Sequence, residues 1–379
     1  MYKPYKLVIC KNRENADIFV YNEGNLIEQY QEQFENKRLE GNIYYGKVTN
    51  VVKGMQSAFI NIGTEKNAFI HIHDLIEKDE NIEKKENMLD ISKIIKQNDN
   101  IIVQIKRDCS NNKGPRVTKD IKLVGKYIIL MPFSTFITVS KKINDIDERK
   151  RLITAITTYM KEKKEKYGII ARTSAEGQEE ELIKEDIDNI INKWNEILKK
   201  SKKINPPFEL YNNNGIIGKL INDFQPLGLE IVTNNEEILN FVKKIDKNQE
   251  ITLDATINEE ININRKVYLN CGGFITIDQT EALTAIDVNS GKFTGKDNLE
   301  ETIVKVNLEA ATEIAKQIRL RDLGGIIIID FIDMKKIEDI EKVRNRMEEE
   351  IKKDRSKIQI LEFTKLGLLE ITRKHILGK

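Results

Sequence analysis

The sequence predicts an α/β multidomain protein, and three observations predict it. The last third alternates strand-like and helix-like segments, residues from Gly41 to about Gly125 form closely spaced short strands, and two amphipathic helical stretches lie between. At 379 residues the chain can hold a substantial core and is long enough for two or three domains. Its 62 Lys+Arg against 61 Asp+Glu leave a formal charge of +1, so any polyanion site must be a local patch. Net charge therefore neither supports nor excludes nucleic acid. Cys10, Cys109 and Cys271 are scattered and form no CxxC pair, which fits a reducing compartment without structural zinc. The opening MYKPYKLVICKNRENADIFV lacks an apolar signal region, and no run approaches membrane-span length. A soluble cytoplasmic protein is expected.

Residues 1 to 38 alternate like strands in KLVIC and ADIFV, then pass into the polar, helix-like run LIEQYQEQFENKRLE. They are too few to fold alone. From Gly41, the segments NIYYGKVTNVV, SAFINIG, NAFIHIHD, IIVQIKRD and RVTKDIKLVG suggest a small closed barrel of the oligonucleotide-binding (OB) type. His71 and His73 read as ordinary strand residues, not a metal pair. The charged insertion IEKDENIEKKENMLDISKIIKQNDN reads as a mobile loop. Beyond Pro132 two amphipathic helices flank YGIIARTSAEG, the second clear in Ile183, Ile187, Ile190, Trp194 and Ile197. The consecutive prolines of INPPFELY forbid helix and mark an extended linker, after which a further α/β unit runs to about Asn270.

In the last third, GGFITIDQTEALTAIDVNSG precedes a helix from about Leu299 to Leu323, the strand GGIIIIDFIDM, a helix from about Ile337 to Asp354, and KIQILEFTKLG. Gly324 and Gly325 end the first helix and turn the chain into a strand whose four isoleucines read as fully buried. Asp287 and Asp330 each follow an apolar strand directly, where open α/β sheets assemble their sites. Two readings stand. Asp287 and Asp333 cap turns, as Asp often does, or Asp287 and Asp330 converge on a divalent metal that lets both ionise. Oxygen-only ligands suit Mg²⁺ or Mn²⁺, and Asn289 shares the face of Asp287. A P-loop reading of NSGKFTG fails, because Ile286 and Phe293 stand where a glycine and a Ser/Thr are required.

The run DQTEALTAIDVNSGKFTG, followed by NLEAATEIAKQIRLRDLGGIIIIDFIDM and LGLLEITR, resembles the catalytic core of bacterial ribonuclease E/G. The resemblance extends at lower density over the whole chain, including GNIYYGKVTNVVKGMQSAFINIG, which is similar to that family's RNA-binding barrel. It implies a split ribonuclease H-like part (1–38 and 208–269), an OB-type RNA-binding barrel (39–125), a 5′-sensor region (126–207) and a deoxyribonuclease I-like catalytic part (270–379). It also implies a Mg²⁺-dependent endoribonuclease that cuts single-stranded RNA to 5′-phosphate and 3′-hydroxyl ends, in rRNA processing or mRNA decay. The rival from another class is a non-catalytic RNA-binding protein that keeps the barrel. A deoxyribonuclease is disfavoured only by the RNA-type barrel.

By the same resemblance, Asp287 and Asp330 fall on the family's metal ligands and Asn289 on its assisting asparagine. Phe59, Phe69 and Lys113 fall on residues that hold RNA, though burial of one Phe in the core is the ordinary alternative. Arg172 and Thr173 match the grip on a 5′-terminal phosphate, with main-chain groups of Gly125 and Ile129. Lys357 and Lys141 replace family arginines, which keeps charge but loses the guanidinium fork. Longer relatives continue into a CxxC zinc link and a small dimerisation domain, so the expectation here is a zinc-free monomer or weak dimer.

Overall fold

Short apolar runs separated by tight turns build the N-terminal strands β1 (Tyr5–Asn12), β2 (Asn15–Asn22) and β3 (Asn25–Gln33), an antiparallel meander. The computed structural model describes residues 3–12, 15–33, 38–76, 90–108, 113–291 and 299–376. Strand β3 corrects the helix expected over LIEQYQEQ. Its polar residues are not a solvated helix face: Glu28 and Tyr30 are buried, and Arg355 binds the Glu28 carboxylate at 2.7 and 2.9 Å. Tertiary pairing overrides local propensity there. Two compact units emerge, one of residues 1–3, 36–229 and 245–247, the other of residues 4–35, 230–244 and 248–379.

In the first unit, β4 (Ile43–Val52), β5 (Ser57–Asn61) and β6 (Ala68–His71) lead into the single turn α1 (Ile72–Leu75). The turn α2 (Ile91–Ile94), β7 (Asn100–Arg107) and β8 (Arg116–Thr118) follow. Sheet order β4-β5-β6-β8-β7 together with β4–β7 pairing closes the barrel. Alternation fills its interior with Val48, Ala58, Ile60, Ala68, Ile70 and Val103, all fully buried. His73 falls in α1 rather than in a strand, with its ring tilted against His71 at 4.8 Å between centroids. Most of the charged insertion, residues 77–89, and Cys109 lie outside the described residues.

A small sheet follows, of β9 (Leu123–Val124), β10 (Ile128–Met131), β11 (Ile137–Val139) and, after α3 (Ile146–Lys163), β12 (Gly168–Ala171). Helix α4 (Glu180–Ser201) packs on it through the Ile183/Ile187/Ile190/Trp194/Ile197 stripe, with Trp194 edge-on to Phe133. Strand β13 (Phe208–Tyr211) corrects the linker expected at INPPFELY, for it pairs with β4 at the barrel edge. Prolines 206 and 207 precede the strand and so remove no ladder donor from it.

After α5 (Gly215–Phe224), β14 (Leu229–Thr233), α6 (Glu236–Ile245) and β15 (Ile251–Leu253) complete the sheet β15-β14-β1-β2-β3 in the second unit. The last sheet has the order β16-β17-β18-β19-β21-β20. It takes β16 (Lys266–Tyr268), β17 (Phe274–Gln279) and β18 (Leu283–Asn289), then α7 (Leu299–Leu320) and β19 (Gly325–Asp330). Helix α8 (Ile337–Ile351), β20 (Ile358–Phe363) and β21 (Leu368–Arg373) finish it. Helix α7 is the crossover that a parallel β18–β19 pair requires. It covers one sheet face with Val306, Ala310, Ile314 and Ile318, against Ile275, Ile286, Ile327, Ile329 and Ile371. The buried-strand reading of residues 326–329 is therefore half right: Ile327 and Ile329 are core, whereas Ile326 is 51% exposed on the other face. Gly325, at φ +83°, makes the turn into β19.

Candidate active site

The face of this last sheet turned away from α7 is organised in cross-strand rows. One row reads Lys266, Thr276, Asp287, Asp330 and Leu368 across β16, β17, β18, β19 and β21, and the next reads Tyr268, Phe274 and Asn289. Asp287 and Asp330 are thus direct neighbours on parallel strands, about 5 Å apart at the backbone. Both are exposed, and Asp287 sits inside a strand, not at a turn. Asn289 Nδ2 donates to Asp287 Oδ2 at 2.5 Å, which fixes that carboxylate and leaves its other oxygen available.

No lysine or arginine forms an ion pair with Asp287, Asp330 or Asp333 among the described residues. The charge is felt: partial burial, then Asp287 and Asp333, push the Asp330 carboxyl above the ordinary carboxylate range. A carboxylate lifted in this way by an adjacent carboxylate is a fit for a hard divalent cation, which would relieve the repulsion. No group of three or more His, Cys, Asp or Glu side chains suited to a metal exists among the described residues. A cation here would take Asp287 and Asp330 and complete its shell with water and substrate oxygens, as Mg²⁺ commonly does.

One supporting residue escaped the sequence reading. Asn307 of α7 is fully buried, donates to Ile332 O at 2.8 Å and accepts from Ile332 N at 3.1 Å. This two-way amide clamp holds the chain just beyond Asp330. Its signal was present as one asparagine within an apolar helix stripe.

In the barrel, Phe59 and Phe69 are paired across β5 and β6, ring centroids 5.9 Å apart and edge to face. Both are half-buried and alternate with core residues, which puts them on the outer face; Lys113 is exposed, and Arg116 pairs with Phe69. Arg116 itself is held by Asp74, at 2.6 Å, which leaves Lys113 as the freer cation.

Of the residues expected to sense a 5′ phosphate, Arg172 is brought to Gly125, but its guanidinium is engaged. The Arg172 guanidinium donates to the carbonyls of Gly125 (2.6 Å), Lys126 (3.3 Å) and Asn222 (3.2 Å) and pairs with Asp223. Gly125 N donates to Ile128 O at 2.8 Å, and Ile129 lies in β10 between Val124 and Ile170. The amides of Lys126, Tyr127 and Ile128 converge on buried Asp186, at 3.2, 2.7 and 3.1 Å. Thr173 is exposed and shares a hydrogen bond with Ser140, next to Lys141. Lys357 is exposed in the other unit, before β20.

A family model described as the Ribonuclease E/G family matches residues 122–376, and one described as the S1 RNA binding domain matches residues 38–114. The chain is 35% identical over 377 residues to Ribonuclease G of Salmonella typhimurium, spanning 93% of this chain and 76% of that protein. It is 36% identical over 373 residues to Ribonuclease G of Haemophilus influenzae, spanning 93% and 75%. Against Ribonuclease E of Synechocystis sp. it is 34% identical over 399 residues, spanning 98% and 57%.

Proposed function

This chain belongs to the ribonuclease E/G family, and on that premise we propose that it is an endoribonuclease that cuts single-stranded RNA at Asp287 and Asp330 with Mg²⁺, or Mn²⁺ in its place. The observation that carries the reading is the in-register pair of exposed carboxylates, with Asn289 on one and no cationic partner among the described residues. A bound divalent cation would neutralise the scissile phosphate and lower the pKa of an attacking water. Asp287 and Asp330 would hold it, Asn289 orients the Asp287 carboxylate, and Asn307 keeps the chain after Asp330 in place. Hydrolysis with a water nucleophile leaves 5′-phosphate and 3′-hydroxyl ends.

The barrel supplies the RNA grip through Phe59, Phe69 and Lys113. We read the sheet containing β1–β3 as the ribonuclease H-like part, residues 126–207 as the 5′-sensor region, and residues 270–379 as the deoxyribonuclease I-like part. The substrates are cytoplasmic RNAs in rRNA processing or mRNA decay. Both carboxylates come from one chain, so a monomer or weak dimer suffices for the chemistry. The test is a 5′-labelled AU-rich single strand, as RNA and as DNA, with and without Mg²⁺. Cleavage of RNA alone, and only with the metal, is the expected result. RNA bound but uncut would favour a binding protein, and equal cutting of DNA would remove the RNA assignment.

A further inference from the structure

The row beside the carboxylates, Tyr268–Phe274–Asn289, contains an aromatic pair that no step above uses. Tyr268 and Phe274 face each other across β16 and β17, 6.3 Å between centroids, on the carboxylate face of the sheet. Lys266 Nζ stands 3.5 Å from the Phe274 centroid and 4.9 Å from that of Tyr268. Tyr268 is 73% exposed, an unusual place for a large ring on a strand that could have presented a polar side chain.

The hairpin carrying these residues is braced, not loose. The Glu309 carboxylate of α7 accepts the backbone N–H groups of Asn270 and Cys271 at its tip. Gly273 passes so close to β18 that a Cβ there would lie 2.8 Å from Asn289 O. The rings are therefore held at a fixed distance from the carboxylates, Phe274 one strand spacing from Asn289 and Tyr268 a second, about 10 Å in all. Lys266 stands in the Asp287 row and pairs with no carboxylate among the described residues.

We infer that Tyr268, Phe274 and Lys266 form a platform that positions the nucleotide flanking the scissile phosphate, an inference that rests on the endonuclease reading above. The exposed Tyr268 ring stacks the flanking base. Phe274 and Lys266 back that ring, and the ammonium meets the adjoining phosphate. A purely structural role for the Lys266–Phe274 contact covers one face of Phe274 but leaves Tyr268 unexplained. A single RNA strand matches all three groups: a base for the ring, a phosphate for the ammonium, and a scissile linkage one row away.

The experiment uses the full chain, Mg²⁺ and a 5′-labelled single-stranded RNA with one cut site, beside copies with one abasic nucleotide on either side of the cut. The parent protein should cut one abasic copy about 5- to 150-fold less efficiently in kcat/KM, the range of one stacked base. Tyr268→Ala should lose the same factor on intact RNA and be indifferent to that abasic copy, while Tyr268→Phe restores the parent pattern. Lys266→Gln should flatten the salt dependence of KM by about 0.7 in log–log slope, one single-strand phosphate contact. Separately, 2-aminopurine at the flanking position should be quenched on binding to the parent without metal and not on binding to Tyr268→Ala. Unchanged kcat/KM in Tyr268→Ala, or an equal loss on intact and abasic RNA, overturns the platform. A parent that cuts no RNA overturns the endonuclease reading instead, and the quenching comparison then decides the platform alone.

Discussion

The carboxylate row and the surroundings of Arg172 are opposite solutions to holding charge. Around Asp287 and Asp330, two anions lie side by side with a single amide donor, and Asp330 responds with a raised pKa. Around Arg172, the cation is met by three carbonyls and Asp223, and the loop amides by Asp186. Nothing among the described residues completes the first arrangement. The second is complete already, so an incoming phosphate must displace Asp223 rather than fill a gap. Unmatched charge at the surface therefore points to chemistry more directly than a gathering of family residues does.

The largest expected effect tests the unmatched side. Asp330→Asn or Asp287→Asn should lower cleavage by at least about a thousandfold while RNA binding in filter assays persists, since each removes an anionic ligand at constant volume. Substantial activity in either variant would dissolve the contrast. Asn289→Ala should cost about 10- to 100-fold in rate or metal affinity, the usual range for a group that orients a ligand. In the barrel, Phe59→Ala should weaken RNA binding by about 5- to 150-fold at matched salt, and an unchanged Kd would take Phe59 off the RNA path.

The matched side is tested by loosening it. Arg172→Ala should abolish any preference for 5′-monophosphate over 5′-hydroxyl RNA and also destabilise the fold by about 2–3 kcal/mol in urea titration, because Asp223 and buried carbonyls lose their donor. Asp223→Asn should free the guanidinium and raise the 5′-monophosphate preference several-fold. A stability loss with no change in preference would make Arg172 purely structural. The smallest effect concerns acid. Because folding raises the Asp330 pKa, its charged form is less favourable folded than unfolded. That cost is absent below about pH 4, where the group is protonated in both states, and grows as pH rises through the raised value. Asp330→Asn should therefore raise the metal-free Tm at pH 7 by about a degree, screening keeping the gain small. Divalent-metal affinity of the parent should fall as pH drops through that same raised value, measurable by calorimetry.

Much of this was legible in the residues. Alternation gave the barrel, helical spacing gave α4, and two aspartates after apolar strands gave the adjacent carboxylates of β18 and β19, because each depends on local pattern. What was missed depends on partners far along the chain. LIEQYQEQ looks helical until Arg355 meets Glu28, and INPPFELY looks like a linker until β4 meets it. Four successive isoleucines hid the two-residue period of β19, since an apolar exposed face reads the same as an apolar buried one. Asn307, Asp186 and Asp223 act through bonds to backbone or charge that no spacing rule reveals.

The parallel pairing of β18 with β19 has a consequence in time. Asp287 is synthesised before the whole of α7, Asp330 after it, and β21, which flanks β19 on its other side, later still. Pairing strands so far apart in sequence must wait for the intervening crossover to form and dock. A nascent chain on the ribosome therefore carries the strands of its S1-type barrel long before Asp287 and Asp330 can come into register.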